Sequence, residues 1–249
     1  MHHTYTNVEE FDEDIDGPSF LRFSPYAKRL KIHKFQFLYA WFFYGFLTLN
    51  WAVFADFASL VRYKKRGLIR STSKYSFGFH LFKLIMFRAA YFGYMIVVPI
   101  LVTDHSLISI ILNFLLMHWV AGFILSCIFQ PAHVMESSTY SSVDSDSNIP
   151  NDWATNQVLN TVNFAPKARA FTWFVGGLNY QVEHHLFPSI CHIHYTKLSK
   201  IVKETAEEFN LPYHVQPTFL SALWNHMKML KELGLSLIHI SEPTRRYAI

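Results

Sequence analysis

The sequence predicts an all-α integral membrane protein: a transmembrane helical hairpin, an interfacial helix, and a cytosolic helical cap that holds a histidine-rich metal site. Three observations predict it. Two apolar runs, residues 81–102 and 107–129, each approach the length of a membrane helix, about 20 residues. Charged residues are only 16% of the chain, against 51% hydrophobic and 17% aromatic. Ordinary soluble domains carry about 25% charged residues. Fourteen histidines are present in 249 residues, and several stand in pairs or close clusters.

Taken in order, residues 1–34 are polar. Asp12, Glu13, Asp14 and Asp16 form an acidic turn that Gly17-Pro18 closes, and a basic patch follows at Lys28, Arg29, Lys31 and Lys34. Residues 35–60 are apolar and aromatic but contain Asn50 and Asp56, and a basic stretch comes next with Arg62, Lys64, Lys65 and Arg66. The two membrane-length runs are joined by Thr103-Asp104-His105-Ser106, a turn without Lys or Arg. Basic residues sit on the outer flanks of that hairpin, so the positive-inside rule puts the turn outside and the flanks in the cytoplasm. Residues 137–151 read as a Ser/Asp-rich loop. Residues 195–209 read as an amphipathic helix with Leu198, Ile201, Val202 and Phe209 on one side. Two cysteines form no zinc pattern, Cys127 reading as a small core residue. There is no internal repeat, heptad pattern or phosphate-binding glycine loop, and no nucleic-acid partner is expected at a net charge of +4.

The chemistry concentrates in Gln181-Val182-Glu183-His184-His185. On a helix, Gln181, His184 and His185 stand at i, i+3 and i+4 and share a face. Neutral imidazole is the commonest metal donor among side chains. His2-His3 is a second pair, and His133 ends the second apolar run with Gln130 and Glu136 three residues to either side. His192 and His194 read as structural groups or as groups that orient the ligands. One metal site requires His2, His3, His133, His184 and His185 on one side of the bilayer, hence an even number of crossings between residues 3 and 133. Three apolar runs would give an odd number. The run at 35–60 is the weakest span, because Asp56 at mid-bilayer depth costs at least ~2.5 kcal/mol. It is expected to lie along the interface or to enter and return, with a third crossing as the alternative.

His2-His3-Thr4-Tyr5-Thr6-Asn7, the acidic turn at residues 12–16, the Phe129–Val134 stretch (FQPAHV) and residues 179–188 together resemble the membrane fatty acid desaturases. The match is closest to the front-end, linoleoyl-CoA desaturase-like branch, which carries glutamine where other third boxes begin with histidine, as Gln181 does. The resemblance implies a di-iron centre held by three histidine boxes and one further histidine, with O₂ as co-substrate. It implies His2 and His3 as the last two histidines of a second box, His133 as the extra ligand, and Gln181, His184 and His185 as the third box. Asp12, Asp14, Asp16, Glu136, Glu183 and Gln181 are candidates to orient the ligands or to act through water. Lys28, Arg29, Lys31, Arg62, Lys64 and Lys65 are candidates to hold a charged substrate group, although positive-inside topology alone also accounts for them.

The implied partners are a fatty acyl-CoA or acyl lipid, an electron donor of ferredoxin or cytochrome b5 type, and the bilayer itself. The implied location is the inner membrane of a bacterium or the endoplasmic reticulum of a eukaryote. A membrane di-iron hydroxylase of lipids or carotenoids, and a non-catalytic membrane metal-binding protein, are the alternatives. The first histidine box and the first histidine of the second box are expected upstream of Met1. Residues 1–234 are therefore read as a partial desaturase domain, inactive alone. Residues 235–249 (LSLIHISEPTRRYAI) are read as an adapter-derived tail.

Overall fold

The computed structural model describes residues 2–9, 11–69, 76–141 and 149–235. It is mostly helical. In chain order the helices are α1 (Lys31–Tyr44), α2 (Leu47–Lys65), α3 (Phe77–Val102), α4 (Leu107–His133), α5 (Trp153–Asn160), α6 (Arg169–Phe174), α7 (Gln181–Leu186), α8 (Tyr195–Glu208) and α9 (Phe219–Leu235). Two short strands, β1 (Asn163–Phe164) and β2 (Val215–Gln216), pair in parallel. The chain divides into two compact units. One is Trp41–Ser126, and the other combines the residues up to Ala40 with those from Cys127 onward. The 236–249 segment, and residues 142–148 of the Ser/Asp-rich loop, fall outside the described residues.

In the Trp41–Ser126 unit, α3 and the larger part of α4 belong to helices long and apolar enough to cross a membrane. Both helices exceed the runs read from sequence. Helix α3 starts four residues earlier than expected, where Ser76 accepts a hydrogen bond from the Phe79 amide at 3.4 Å. Helix α4 continues to His133 through Pro131. Pro99 in α3 lacks an N–H and crowds the carbonyl four residues before it, and a π-turn at Gly93–Val97 precedes it.

The run at 35–60 is not one straight helix. It is two helices, α1 and α2, bent by 67° at Gly45-Phe46, the geometry of a broken span or a re-entrant loop. A break in an apolar segment frees carbonyls that need donors. Here they have them: Trp119 Nε1 donates to Phe42 O at 3.1 Å and Ser126 Oγ to Tyr44 O at 3.2 Å. The close approach depends on glycine. A Cβ at Gly122 would stand 2.4 Å from Gly45 O, and one at Gly45 would stand 2.2 Å from the Trp119 ring. His118 is held within this unit by Thr48 (3.0 Å) and Tyr91 (2.8 Å).

The other unit carries the cap. One core cluster joins Ile128, Ala132 and Met135 with Val162, Phe164, Val175 and Ala222. A second joins Val158 of α5, Val182 of α7 and Val202 of α8. These three valines fix the rotation of α7 about its axis. The apolar side of α8 differs from the expected one: Tyr195, Val202 and Ala206 are buried, whereas Ile201 is 60% and Phe209 71% exposed. Ile201 stands about 100° around the helix from Val202, and Phe209 lies past the helix end. The start of α1 packs on α9, where Gln36 donates to Leu230 O at 2.7 Å and Arg22 to Leu233 O at 2.6 Å.

Candidate metal centre

Three distant stretches of the cap unit meet at one point. His2 and His3 come from the N-terminal turns, His133 from the last residue of α4, and His184 and His185 from α7. Ring centroids are 4.6 Å apart for His2–His133, 4.8 Å for His2–His185, 4.8 Å for His133–His185, 4.5 Å for His3–His185 and 4.6 Å for His3–His184. One ligand nitrogen from each of His2, His133 and His185 falls within 4.8 Å of the others. His133 and His185 are buried.

The far nitrogens of three of these imidazoles are occupied. His2 Nδ1 is 2.8 Å from Asp12 Oδ1, and a carboxylate only accepts, so the proton lies on Nδ1. His133 Nδ1 is 3.3 Å from the Asn160 carbonyl oxygen, and the same reasoning applies. His185 Nδ1 is 2.9 Å from Gln157 Oε1. The consequence is clearest between His2 and His133. Their Nε2 atoms, both lone-pair nitrogens in these tautomers, stand 3.3 Å apart. Two lone pairs cannot bond to each other; a cation shared between them, or a proton on one of them, would reconcile the contact. Two nitrogens each about 2.1 Å from one ion are separated by about 3.0–3.4 Å at ordinary coordination angles.

Electrostatics favour neutral donors around this gap. Burial, then the neighbouring His184 and His2, lowers the His3 pKa to about 4. Burial, then His133 and the other imidazoles, lowers that of His185. Burial works against a charge on His2, but the hydrogen bond and charge of Asp12 outweigh it and raise its pKa. Metal ligation requires neutral imidazole, so a bound cation would take the place of a proton on His2. Two buried polar atoms nearby in the chain, Gln157 Nε2 and Gln181 Oε1, have no hydrogen-bond partner. Such orphans cost ~1–3 kcal/mol each and fit a site that takes up further polar groups. The nitrogen-rich donor set suits a first-row transition metal.

The orienting residues differ from the expected set. Asp12 is buried and bonds His2, while exposed Asp14 lies 3.3 Å from the same Nδ1. Asp16 and Glu136 are exposed. Glu183 is fully buried but faces the other way. It accepts from Tyr213 OH (2.7 Å) and Asn163 Nδ2 (2.8 Å), on the side of β1 and β2. Helix geometry accounts for this, because residue 183 lies roughly 160° around α7 from residue 185. Gln181 donates to Leu178 O at 2.7 Å. His192 and His194 are exposed on a 3₁₀ turn outside the cluster.

Sequence reading missed Thr6, Asn7, Asn156, Gln157 and Asn160. Helix α5, capped by Asp152, presents Asn156, Gln157 and Asn160 buried. Asn156 and Asn160 both donate to Thr6 O, and Asn7 donates to His133 O. Asn7 takes a left-handed φ of 56°, a region asparagine tolerates. The available signal was three amide side chains within one eight-residue helix. The basic candidates divide between the two units: Lys28, Arg29 and Lys31 belong to the cap unit and Arg62, Lys64 and Lys65 to the other. Lys28, Lys31, Lys64 and Lys65 are exposed, and Arg29 donates to Gly234 O at 2.8 Å.

A histidine cluster that could hold a metal ion, in a chain with two helices long and apolar enough to cross a membrane, is consistent with a membrane metalloprotein class. The chain belongs to the fatty acid desaturase family, whose description, "Fatty acid desaturase", matches residues 1–217. It is 34% identical over 94% of its length to an sn-1 linoleoyl-lipid 6-desaturase of Synechocystis sp., covering 64% of that protein. It is 34% identical over 95% of its length to the enzyme of the same name from Arthrospira platensis, covering 63%. To an acyl-lipid (8-3)-desaturase of Physcomitrium patens it is 32% identical over 94% of its length, covering 48%. The chain thus spans between about half and two thirds of these relatives. No solved structure matches it.

Proposed function

We propose that residues 1–234 belong to an acyl-lipid desaturase that introduces a cis double bond into a fatty acyl chain at a di-iron centre. The single observation that carries this reading is the convergence of His2, His3, His133, His184 and His185, with proton acceptors behind three of them. In the balanced reaction, a –CH₂–CH₂– pair, O₂, two electrons and two protons yield –CH=CH– and two waters. When bound, two iron ions would supply the oxidising power to break unactivated C–H bonds. His2, His3, His133, His184 and His185 would hold them, with Gln181 beside them or acting through water. Asp12 and the Asn160 carbonyl would keep Nδ1 protonated on His2 and His133, leaving Nε2 to donate. The relatives' names favour an acyl lipid as substrate over acyl-CoA. The electrons would come from a ferredoxin or cytochrome b5 type donor, and α3 and α4 would form the membrane hairpin with the histidines on its cytoplasmic side.

The test is expression of the complete reading frame in a host with an analysable fatty acid profile. A new cis-alkene lipid that disappears in His184→Ala is the expected result. An oxygenated product without an alkene would favour the hydroxylase, and unchanged lipids with retained metal would favour a binding protein.

A further inference from the structure

We propose that Gln157 is a positioning residue of the metal centre: its Oε1 fixes the tautomer of His185. This rests on the metal-site reading above. Gln157 lies on α5, fully buried, 28 residues before His185 and with no motif to mark it. Its Oε1 is 2.9 Å from His185 Nδ1 and 2.7 Å from Thr6 Oγ1. Thr6 Oγ1 in turn lies 2.8 Å from His2 O and 3.1 Å from His185 Nδ1. One carboxamide therefore joins the stretch carrying His2 and His3 to the helix carrying His185.

The amide can stand either way round, and the two orientations have opposite consequences. With Oε1 against His185, Nδ1 carries the proton and Nε2 keeps its lone pair for a metal. With the amide reversed, an N–H faces Nδ1, the imidazole proton moves to Nε2, and His185 can no longer donate through that atom. The reversed amide would satisfy Thr6 equally well, since the hydroxyl could donate to His2 O and accept from Nε2. Local hydrogen bonding therefore does not choose between them. Ligation through Nε2 requires the first orientation, in which Gln157 Nε2 is a buried donor without a hydrogen-bond partner.

Two substitutions separate the roles. In Gln157→Glu the new carboxylate would offer acceptors only and enforce the ligating tautomer, whereas in Gln157→Leu the side chain would offer none. The probe is Co(II), titrated into the full chain in detergent and followed by its d–d absorption, with thermal unfolding of the unloaded protein as the fold control. Wild type should bind Co(II). Gln157→Leu should weaken binding 10- to 100-fold, the range for loss of a residue that orients a ligand, and Gln157→Glu should stay within about threefold of wild type on the same scale. Equal affinity in Gln157→Leu, or a Gln157→Glu as weak as Gln157→Leu, would overturn the proposal. Failure of wild type to bind Co(II) would instead overturn the metal-site reading beneath it.

Discussion

Replacing Asn163 with alanine tests how the third-box helix is held from behind. Asn163 is buried on β1 and makes three bonds: Nδ2 to Glu183 Oε2 at 2.8 Å, Nδ2 to Tyr213 OH at 2.6 Å, and Oδ1 from the Val182 amide at 2.9 Å. The bond to a carboxylate is worth ~1.5–3 kcal/mol and a neutral one ~1 kcal/mol, while a stranded buried N–H adds ~1–3 kcal/mol. The three overlap, so the expected cost is about 3–5 kcal/mol. At about 2–4 °C per kcal/mol for a chain of this size, unfolding in detergent should fall by roughly 10 °C. Tyr213→Phe removes one donor to Glu183 and should cost about half as much. A midpoint for Asn163→Ala within about 2 °C of wild type (about 1 kcal/mol or less) would refute the idea that Glu183 anchors α7 rather than serving the histidines.

Three further predictions concern other links. Gly122→Ala should destabilise the Trp41–Ser126 unit by ~1–3 kcal/mol, because its Cβ would press on Gly45 O at 2.4 Å; differential scanning fluorimetry in detergent reads this, and an unchanged profile would deny the close contact. Asp12→Ala removes the acceptor of His2 Nδ1 and the partners of the Asn7 and Asp14 amides, so Co(II) affinity should drop at least about 10-fold in a spectrophotometric titration. On α8, Ile201→Ser should stay within about 0.5 kcal/mol, whereas Val202→Ser should be clearly destabilising; comparable losses at both positions would contradict the face on which α8 packs.

What sequence could reveal followed from local physics. The histidine pairs, the membrane-length α3 and α4, and the shared helical face of Gln181, His184 and His185 depend on spacings of a few residues. So does the expectation that 35–60 is a weak span, since Asp56 and the basic flanks are visible at once. The break at Gly45 was not visible, because it depends on Trp119, Gly122 and Ser126 supplying donors and clearance from a helix far later in the chain. Gln157, Asn160 and Thr6 stayed hidden for the same reason: an amide reads as an ordinary polar residue until a distant histidine is set against it. Glu183 was a candidate to orient the ligands, and the helical turn directs it toward Tyr213 and Asn163. On α8 the period was right and the phase was not; the valine triad with α5 and α7 sets that phase.

The central claim is that His2, His133 and His185 donate to one cation. X-ray absorption of the iron-loaded protein measures this directly. The expected spectrum shows a nitrogen-dominated shell near ~2.1 Å, the usual length for an imidazole bond to a first-row metal, with the outer-shell scattering of imidazole rings, and that signature is weakened in His133→Ala. A shell of oxygen or sulfur alone, or an identical spectrum in His133→Ala, would contradict it.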